Sequence, residues 1–204
     1  MACLKEIEGD LLELKNIDCI VQQINCVTVT AHGLSASIAK KYPYADVYSS
    51  RTPYKKGLNR AALESRPKMG SVILKRPPAS SSNLLSNFIK ERKEENKIVS
   101  QPPVVACLVA QITPSKPGYY NQVYNISIEE DNKEARAQAF QQCLTNLAEL
   151  MKKEENKTWK TIAFPYQIGC GLAGGNWKDY YSYIQEFVKV LDQEITVFIV
   201  KLKS

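Results

Sequence analysis

Four glycines fall within seven residues at Gly169, Gly171, Gly174 and Gly175, and Asn176 follows at once. Glycine lets a backbone pass close to a ligand and take up positive φ. Asn176 can cap a helix, with Asp179 three residues on in the manner of a capping box. A turn that opens into a helix offers free N–H groups and the positive end of the helix dipole, so an anion suits it and a pyrophosphate is a natural guest. A simple tight turn has the same composition, and both readings stand on composition alone. The stretch is neither a P-loop nor a Rossmann fingerprint, because no Gly-Lys-Ser/Thr follows and the glycine spacing differs.

A second stretch, 25–33, reads Asn-Cys-Val-Thr-Val-Thr-Ala-His-Gly and holds the only histidine of the chain, His32. An imidazole titrates near neutrality, so it can take a proton from water or hydrogen-bond a phosphate. A lone histidine is as often structural. Cys170 sits between Gly169 and Gly171. A helix N-terminus could activate its thiol, but backbone geometry explains the turn better. Tyr119, Tyr120 and Tyr166 could wall a pocket, stack on a base, or pack in a core.

The elements that must position these residues follow from the apolar pattern. Strands are expected at 17–25, 71–75, 161–166 and 194–202. The run VVACLVAQ at 104–111 suits a central strand covered on both faces. In 34–42, Leu34, Ile38 and Tyr42 recur every four residues, which predicts a short helix facing a core and ended by Pro43. Asp131-Asn132 offers the cap of a longer helix, with Ala139, Phe140, Cys143, Leu144, Leu147, Leu150 and Met151 along one face. A last helix follows Asn176 and buries Trp177, Tyr180, Tyr181, Ile184, Phe187, Val188 and Leu191. The segment 47–69 reads as a polar loop. Residues 79–101, serine-rich and then densely charged, read as a polar surface insertion. Strands alternating with helices predict an α/β domain, a three-layer α/β/α sandwich around a mixed, largely parallel sheet. In such sheets ligands settle beyond the carboxyl ends of the strands, where both chemical stretches fall.

At 204 residues the chain suits one domain spanning 1–204, and 44% hydrophobic with 24% charged residues is ordinary for a globular protein. No apolar run approaches the roughly 20 residues a bilayer requires, so no membrane role is expected. An acidic residue at Glu6 comes too early for a signal peptide. The six cysteines are widely spaced and form no Cys-x-x-Cys pair. Reduced, buried thiols in a cytoplasmic or nuclear protein are expected, with no metal and no cofactor. The net charge of +6 comes from scattered lysines, which suits a phosphorylated ligand better than a nucleic-acid role.

Three segments in order resemble the macrodomain family. Glu8-Gly9-Asp10-Leu11-Leu12 is similar to the segment that opens macrodomains, where the aspartate accepts from the adenine amino group. Val21-Gln22-Gln23-Ile24-Asn25-Cys26 resembles their second strand, whose terminal asparagine contacts the distal ribose. Ile168-Gly169-Cys170-Gly171-Leu172 resembles the turn around the pyrophosphate. The resemblance implies a monomer that binds ADP-ribose or a close derivative and hydrolyses it, removing a phosphate or cleaving an ADP-ribose linkage. It implies ligand contacts from Asp10, Leu11, Asn25, Gly33, Ile168, Gly169, Cys170, Gly171, Leu172 and Ala173, with His32 and Asn25 as the candidate catalytic groups. The chain departs from the family in having Gln22-Gln23-Ile24-Asn25 where two asparagines are common, and a single Gly33 where three glycines are. Ala173 stands where one hydrolase subgroup carries its catalytic aspartate. A non-catalytic ADP-ribose reader and, less readily, an RNA-binding domain are the alternatives.

Overall fold

All eight residues of the strand Val104–Gln111 are buried, as a continuous apolar run demands. A computed structural model describes residues 2–78 and 101–203 of the chain. Six strands form one sheet: β1 (Cys3–Glu8), β2 (Cys19–Asn25), β3 (Val72–Lys75), β4 (Val104–Gln111), β5 (Thr161–Pro165) and β6 (Thr196–Lys201). Their order is β1-β6-β5-β2-β4-β3. Every pairing is parallel except β3 with β4, which is antiparallel. The helices are α1 (Leu34–Lys41), the single turn α2 (Asn121–Tyr124), α3 (Lys133–Met151) and α4 (Trp177–Lys189).

The two-residue period of the strands sorts the core into two layers. Val104, Ala106, Leu108 and Ala110 of β4, with Cys19 and Val21 of β2, pack against the apolar faces of α3 and α4. Val105, Cys107 and Val109, with Ile20 and Ile24, face the other way onto Ile38 of α1 and the chain around Val47 and Tyr48. The expected three-layer α/β/α arrangement is therefore observed. Asn132 caps α3 by accepting from the Ala135 N–H at 2.7 Å, and Asn176 caps α4 by accepting from Lys178 at 3.0 Å.

Two expectations need correction. Leu34, expected on the core face of α1, is 37% exposed; it begins the first turn, and Ile38 is the residue that enters the core. No strand was legible at 3–8, yet β1 pairs with β6 along its whole length. It is an edge strand carrying Lys5, Glu6 and Glu8, with its half-buried Leu4 and Ile7 three residues apart, out of step with a two-residue pattern. The surface insertion expected at 79–101 lies, apart from Gln101, outside the described residues.

The cysteines form no disulfide. Burial pushes the thiols of Cys26, Cys107 and Cys143 up to about 12, so they act as small apolar groups. Leu147 lies at the centre of the α3 face with no exposure. Leu147→Ala should cost about 2–5 kcal/mol of stability, read as a lower urea midpoint with an unchanged slope.

Candidate functional site

At the carboxyl ends of β2, β4 and β5 the chain leaves the sheet in three loops, and between them lies a cleft of about 350 Å³. Its walls bring together Asn25, His32, Gly33, Ile168, Gly169, Gly171, Leu172 and Ala173. The two stretches singled out by composition thus face each other across one space. Gln23, Tyr48, Gln111 and Tyr166 complete much of the lining. None of the lining residues is Asp, Glu, Lys or Arg.

The wall after β2 is built around Asn25, only 8% exposed. Its Oδ1 accepts from the N–H of Val27 at 3.0 Å, the N–H of Thr28 at 2.9 Å and the Thr28 hydroxyl at 3.0 Å. That oxygen is spent on folding the turn, so only Nδ2 has capacity left, and one of its protons goes to the Tyr48 hydroxyl at 3.4 Å. Asn59 holds the same loop from outside, accepting from Val29 and Thr30, both at 2.9 Å. The loop ends at Gly33, whose φ of 55° and ψ of −132° belong to a region essentially reserved for glycine. This geometry turns the chain sharply into α1. His32 stands exposed just before it.

The opposite wall is the glycine turn. A Cβ built on Gly169 would lie 2.5 Å from Gln23 Oε1 and 2.5 Å from the Tyr180 ring, and φ there is +72°. Glycine is required at 169 by the protein's own packing, ahead of any ligand. Gly171 differs, with nothing within 4 Å of its built Cβ, so a side chain there would stand in open space. Gln23 donates to Gln111 Oε1 at 2.8 Å, and Gln111 donates to the Thr113 carbonyl at 3.1 Å. The buried Gln23 Oε1 is left without a partner among the described residues.

A buried ion pair holds this wall in place. Arg136 donates to Asp131 through Nε and Nη2, each at 2.7 Å. Its Nη1 reaches the carbonyls of Ser115 at 2.6 Å and Ala173 at 3.0 Å. Asp131 also accepts from the Thr113 N–H at 2.9 Å. One guanidinium therefore ties the exit of β4, the start of α3 and the glycine turn together.

With the carbonyls engaged, the amides are left over. Among the described residues the N–H groups of Gly33, Leu34 and Ser35 donate to no protein acceptor, and neither do those of Gly171, Leu172 and Ala173. The first set is the uncapped start of α1, where no side chain closes the N-terminus. Two runs of unpartnered amides on facing walls, with no carboxylate between them, are suited to an anion.

The remaining site residues read from sequence lie apart from these walls. Asp10 is exposed after β1, and its Oδ1 accepts from the Leu12 N–H at 2.8 Å, closing a turn. Leu11 is buried in the α1-side core. Neither lines the cleft, and nor does Cys170. Burial, and then the charge of Asp179, push the Cys170 thiol up to about 11, so it is not activated in the manner the helix N-terminus suggested. Tyr166 does line the cleft, with its ring 5.0 Å from that of Trp177. Tyr48, Arg51, Asp131 and Arg136 were not legible as site residues in the sequence. Apart from the Asp131–Arg136 and Tyr48–Arg51 contacts, the side-chain hydrogen bonds that draw them to the site reach residues 18 or more positions away, so no local pattern marks them.

No family model matches the sequence, and no curated protein does. Solved structures do match over nearly the whole chain. The macrodomain of Thermus aquaticus DarG is 16% identical and aligns over 98% of this chain and 99% of its own, with a TM-score of 0.58. That of Mycobacterium tuberculosis DarG is 15% identical over the full length of both chains, with a TM-score of 0.59. The Oceanobacillus iheyensis macrodomain with ADP is 14% identical over 98% of this chain and 84% of its own, at 0.56. Thermosipho africanus DarTG in complex with ADP-ribose is 17% identical over all of this chain and 42% of its own, at 0.57. The fold of this chain is that of a macrodomain.

The ion pair behind the glycine turn should make the stability of the protein depend on acid pH. Burial alone would raise the Asp131 carboxyl, but hydrogen bonds from Arg136 and Thr113 outweigh it and hold the carboxyl below its ordinary value. Its stabilisation is therefore complete above the ordinary carboxylate range and is lost as pH falls through the lowered native value. Asp131→Asn strands the Arg136 charge and should cost about 3–5 kcal/mol at neutral pH. Urea midpoints measured from neutral to acid pH should fall less steeply in the variant than in the unmutated protein.

Proposed function

We propose that the cleft binds ADP-ribose or a close derivative. The observation that carries this reading is the pair of unpartnered amide runs, Gly33–Ser35 and Gly171–Ala173, facing each other inside a macrodomain fold. The pyrophosphate lies between them, where backbone N–H groups and the start of α1 supply its counter-charge. The distal ribose sits against Asn25, whose remaining Nδ2 proton is a donor for a sugar hydroxyl. Asp10 and Leu11 lie outside the cleft lining, and adenine recognition by Asp10 rests on the sequence resemblance alone. Complexes of macrodomain-fold proteins with ADP and with ADP-ribose support the same class of ligand.

Titration calorimetry with ADP-ribose should give a micromolar dissociation constant, about −8 kcal/mol. Gly171→Glu should abolish binding while the circular dichroism and unfolding midpoint stay close to those of the unmutated chain. Residue 171 has open space for the new side chain, and the carboxylate would stand where the pyrophosphate belongs. Unchanged affinity in the folded variant would move the pyrophosphate elsewhere. A thermal-shift panel of ADP-ribose, its 1''-phosphate, NAD, AMP and short RNA separates this reading from RNA binding.

His32 favours turnover as a second reading. It lines the cleft next to Gly33, and no carboxylate shares the lining to serve as a base. An imidazole there can take a proton from a water attacking the distal end of the ligand. His32→Ala should slow hydrolysis of the best ADP-ribose derivative at least about tenfold and change product affinity by less than about 1 kcal/mol. Single-turnover rates and product affinities measured on the same variant check both halves. A chain that turns over none of the panel is a reader.

A further inference from the structure

Among the described residues two arginines are almost fully buried, and they are balanced differently. Arg136 has the bidentate carboxylate of Asp131. Arg51 is 6% exposed, yet among the described residues no carboxylate lies within ion-pair distance of it. Its Nη1 donates to the Thr28 carbonyl at 2.6 Å and its Nη2 to the Asn25 carbonyl at 2.8 Å. Its guanidinium lies over the Tyr48 ring, 4.3 Å from the centroid. Asp46, close in sequence, spends Oδ1 on the N–H groups of Tyr48 and Ser49.

Carbonyl dipoles and a ring face offset part of the cost of burying a cation, but they do not neutralise it. The charge sits directly behind the cleft, because Asn25 and Tyr48, two of the three residues it touches, both form the wall. The Tyr48 hydroxyl accepts from the Asn25 N–H at 3.2 Å, so guanidinium, ring and asparagine form one connected network. Among the described residues Asp46 acts on Arg51 only from beyond ion-pair distance, and the close counter-charge that Arg51 lacks is of the sign that the unpartnered amides also call for.

We propose that Arg51 is a specificity-determining residue: its unneutralised charge behind the Asn25–Tyr48 wall makes the cleft select anionic ligands. The proposal rests on the cleft being the ADP-ribose site and adds which charged side chain tunes it. Arg51→Lys keeps the charge and loses the planar fork, whereas Arg51→Met keeps bulk and loses the charge. A role confined to clamping the loop would be lost in both variants. A role of the charge is lost only in the second.

The test measures the affinity of the unmutated chain, Arg51→Lys and Arg51→Met for ADP-ribose, and for inorganic pyrophosphate as a bare anion, at low and high salt. Arg51→Met should bind ADP-ribose at least about tenfold more weakly, and Arg51→Lys should stay within about threefold of the unmutated chain. Added salt should weaken binding more in the unmutated chain and Arg51→Lys than in Arg51→Met. A folded Arg51→Met that binds within twofold of the unmutated chain, or an Arg51→Lys that loses more than threefold, overturns the proposal. If Arg51→Met does not fold, Arg51→Gln replaces it as the charge-free variant and is judged by the same limits. Binding of pyrophosphate without ADP-ribose removes the ADP-ribose reading, and the same comparison is then made with pyrophosphate. Binding of neither by the unmutated chain overturns both.

Discussion

Arg136 reaches out of the first turns of α3 and spends its guanidinium on Asp131 and on the carbonyls of Thr113, Ser115 and Ala173. The loop after β4 and the turn after β5 have no regular hydrogen-bond ladder to set their course, and without this contact their backbone would have many alternatives. A buried ion pair is weak evidence of net stability by itself. Its value here is geometric. It holds carbonyls of two loops at once, and the amides of residues 171–173, which line the cleft, have no protein acceptor among the described residues. The rest of the site is arranged against that fixed wall: Gly175 N–H returns to the Gly169 carbonyl at 2.9 Å, and Tyr180 fills the space that glycine leaves at 169.

The facing wall solves the same problem with different parts. Asn25 folds the turn with its side-chain oxygen, Arg51 takes two of the carbonyls, and Gly33 supplies the backbone conformation that swings the chain into α1. Both walls use the same physical device, a buried guanidinium on carbonyls with amides left over. They differ in charge, because one guanidinium has a carboxylate in contact and the other, among the described residues, has none within ion-pair distance. The cleft is consequently built from backbone dipoles and one unpaired cation behind the surface, with no ionised carboxylate in its lining. Such a site favours anions through preorganised groups that need not reorganise when a ligand arrives. It also leaves His32 and bound water as the groups that could move a proton.

The departures of this chain from the common macrodomain pattern become intelligible in this setting. Gln23 stands near the end of β2, and its side chain crosses to Gln111 on the neighbouring strand. Its free Oε1 approaches Gly169, which must lack a side chain for that reason. The glutamine thus links β2, β4 and the glycine turn beneath the cleft.

The central strand β4, the α3 and α4 faces and the two chemical stretches were all legible in the sequence. Each depends on a local period or a local cluster: eight apolar residues in a row, apolar positions three and four apart, four glycines in seven. Strand β1 was not legible, since an edge strand exposes charged side chains and draws its hydrogen bonds from β6, far along the chain. The same limit applied to the site. Gly169, Gly171 and His32 stand out by type and spacing, but Arg51 and Arg136 look like ordinary surface arginines in a basic chain. Only tertiary structure placed them in the interior, through carbonyls 21 to 37 residues away. Asn25 shows the boundary most clearly. Its type fits a ribose contact or a turn cap equally well, and only the positions of Val27, Thr28 and Tyr48 around it determine that its oxygen belongs to the turn and its amide to the cleft.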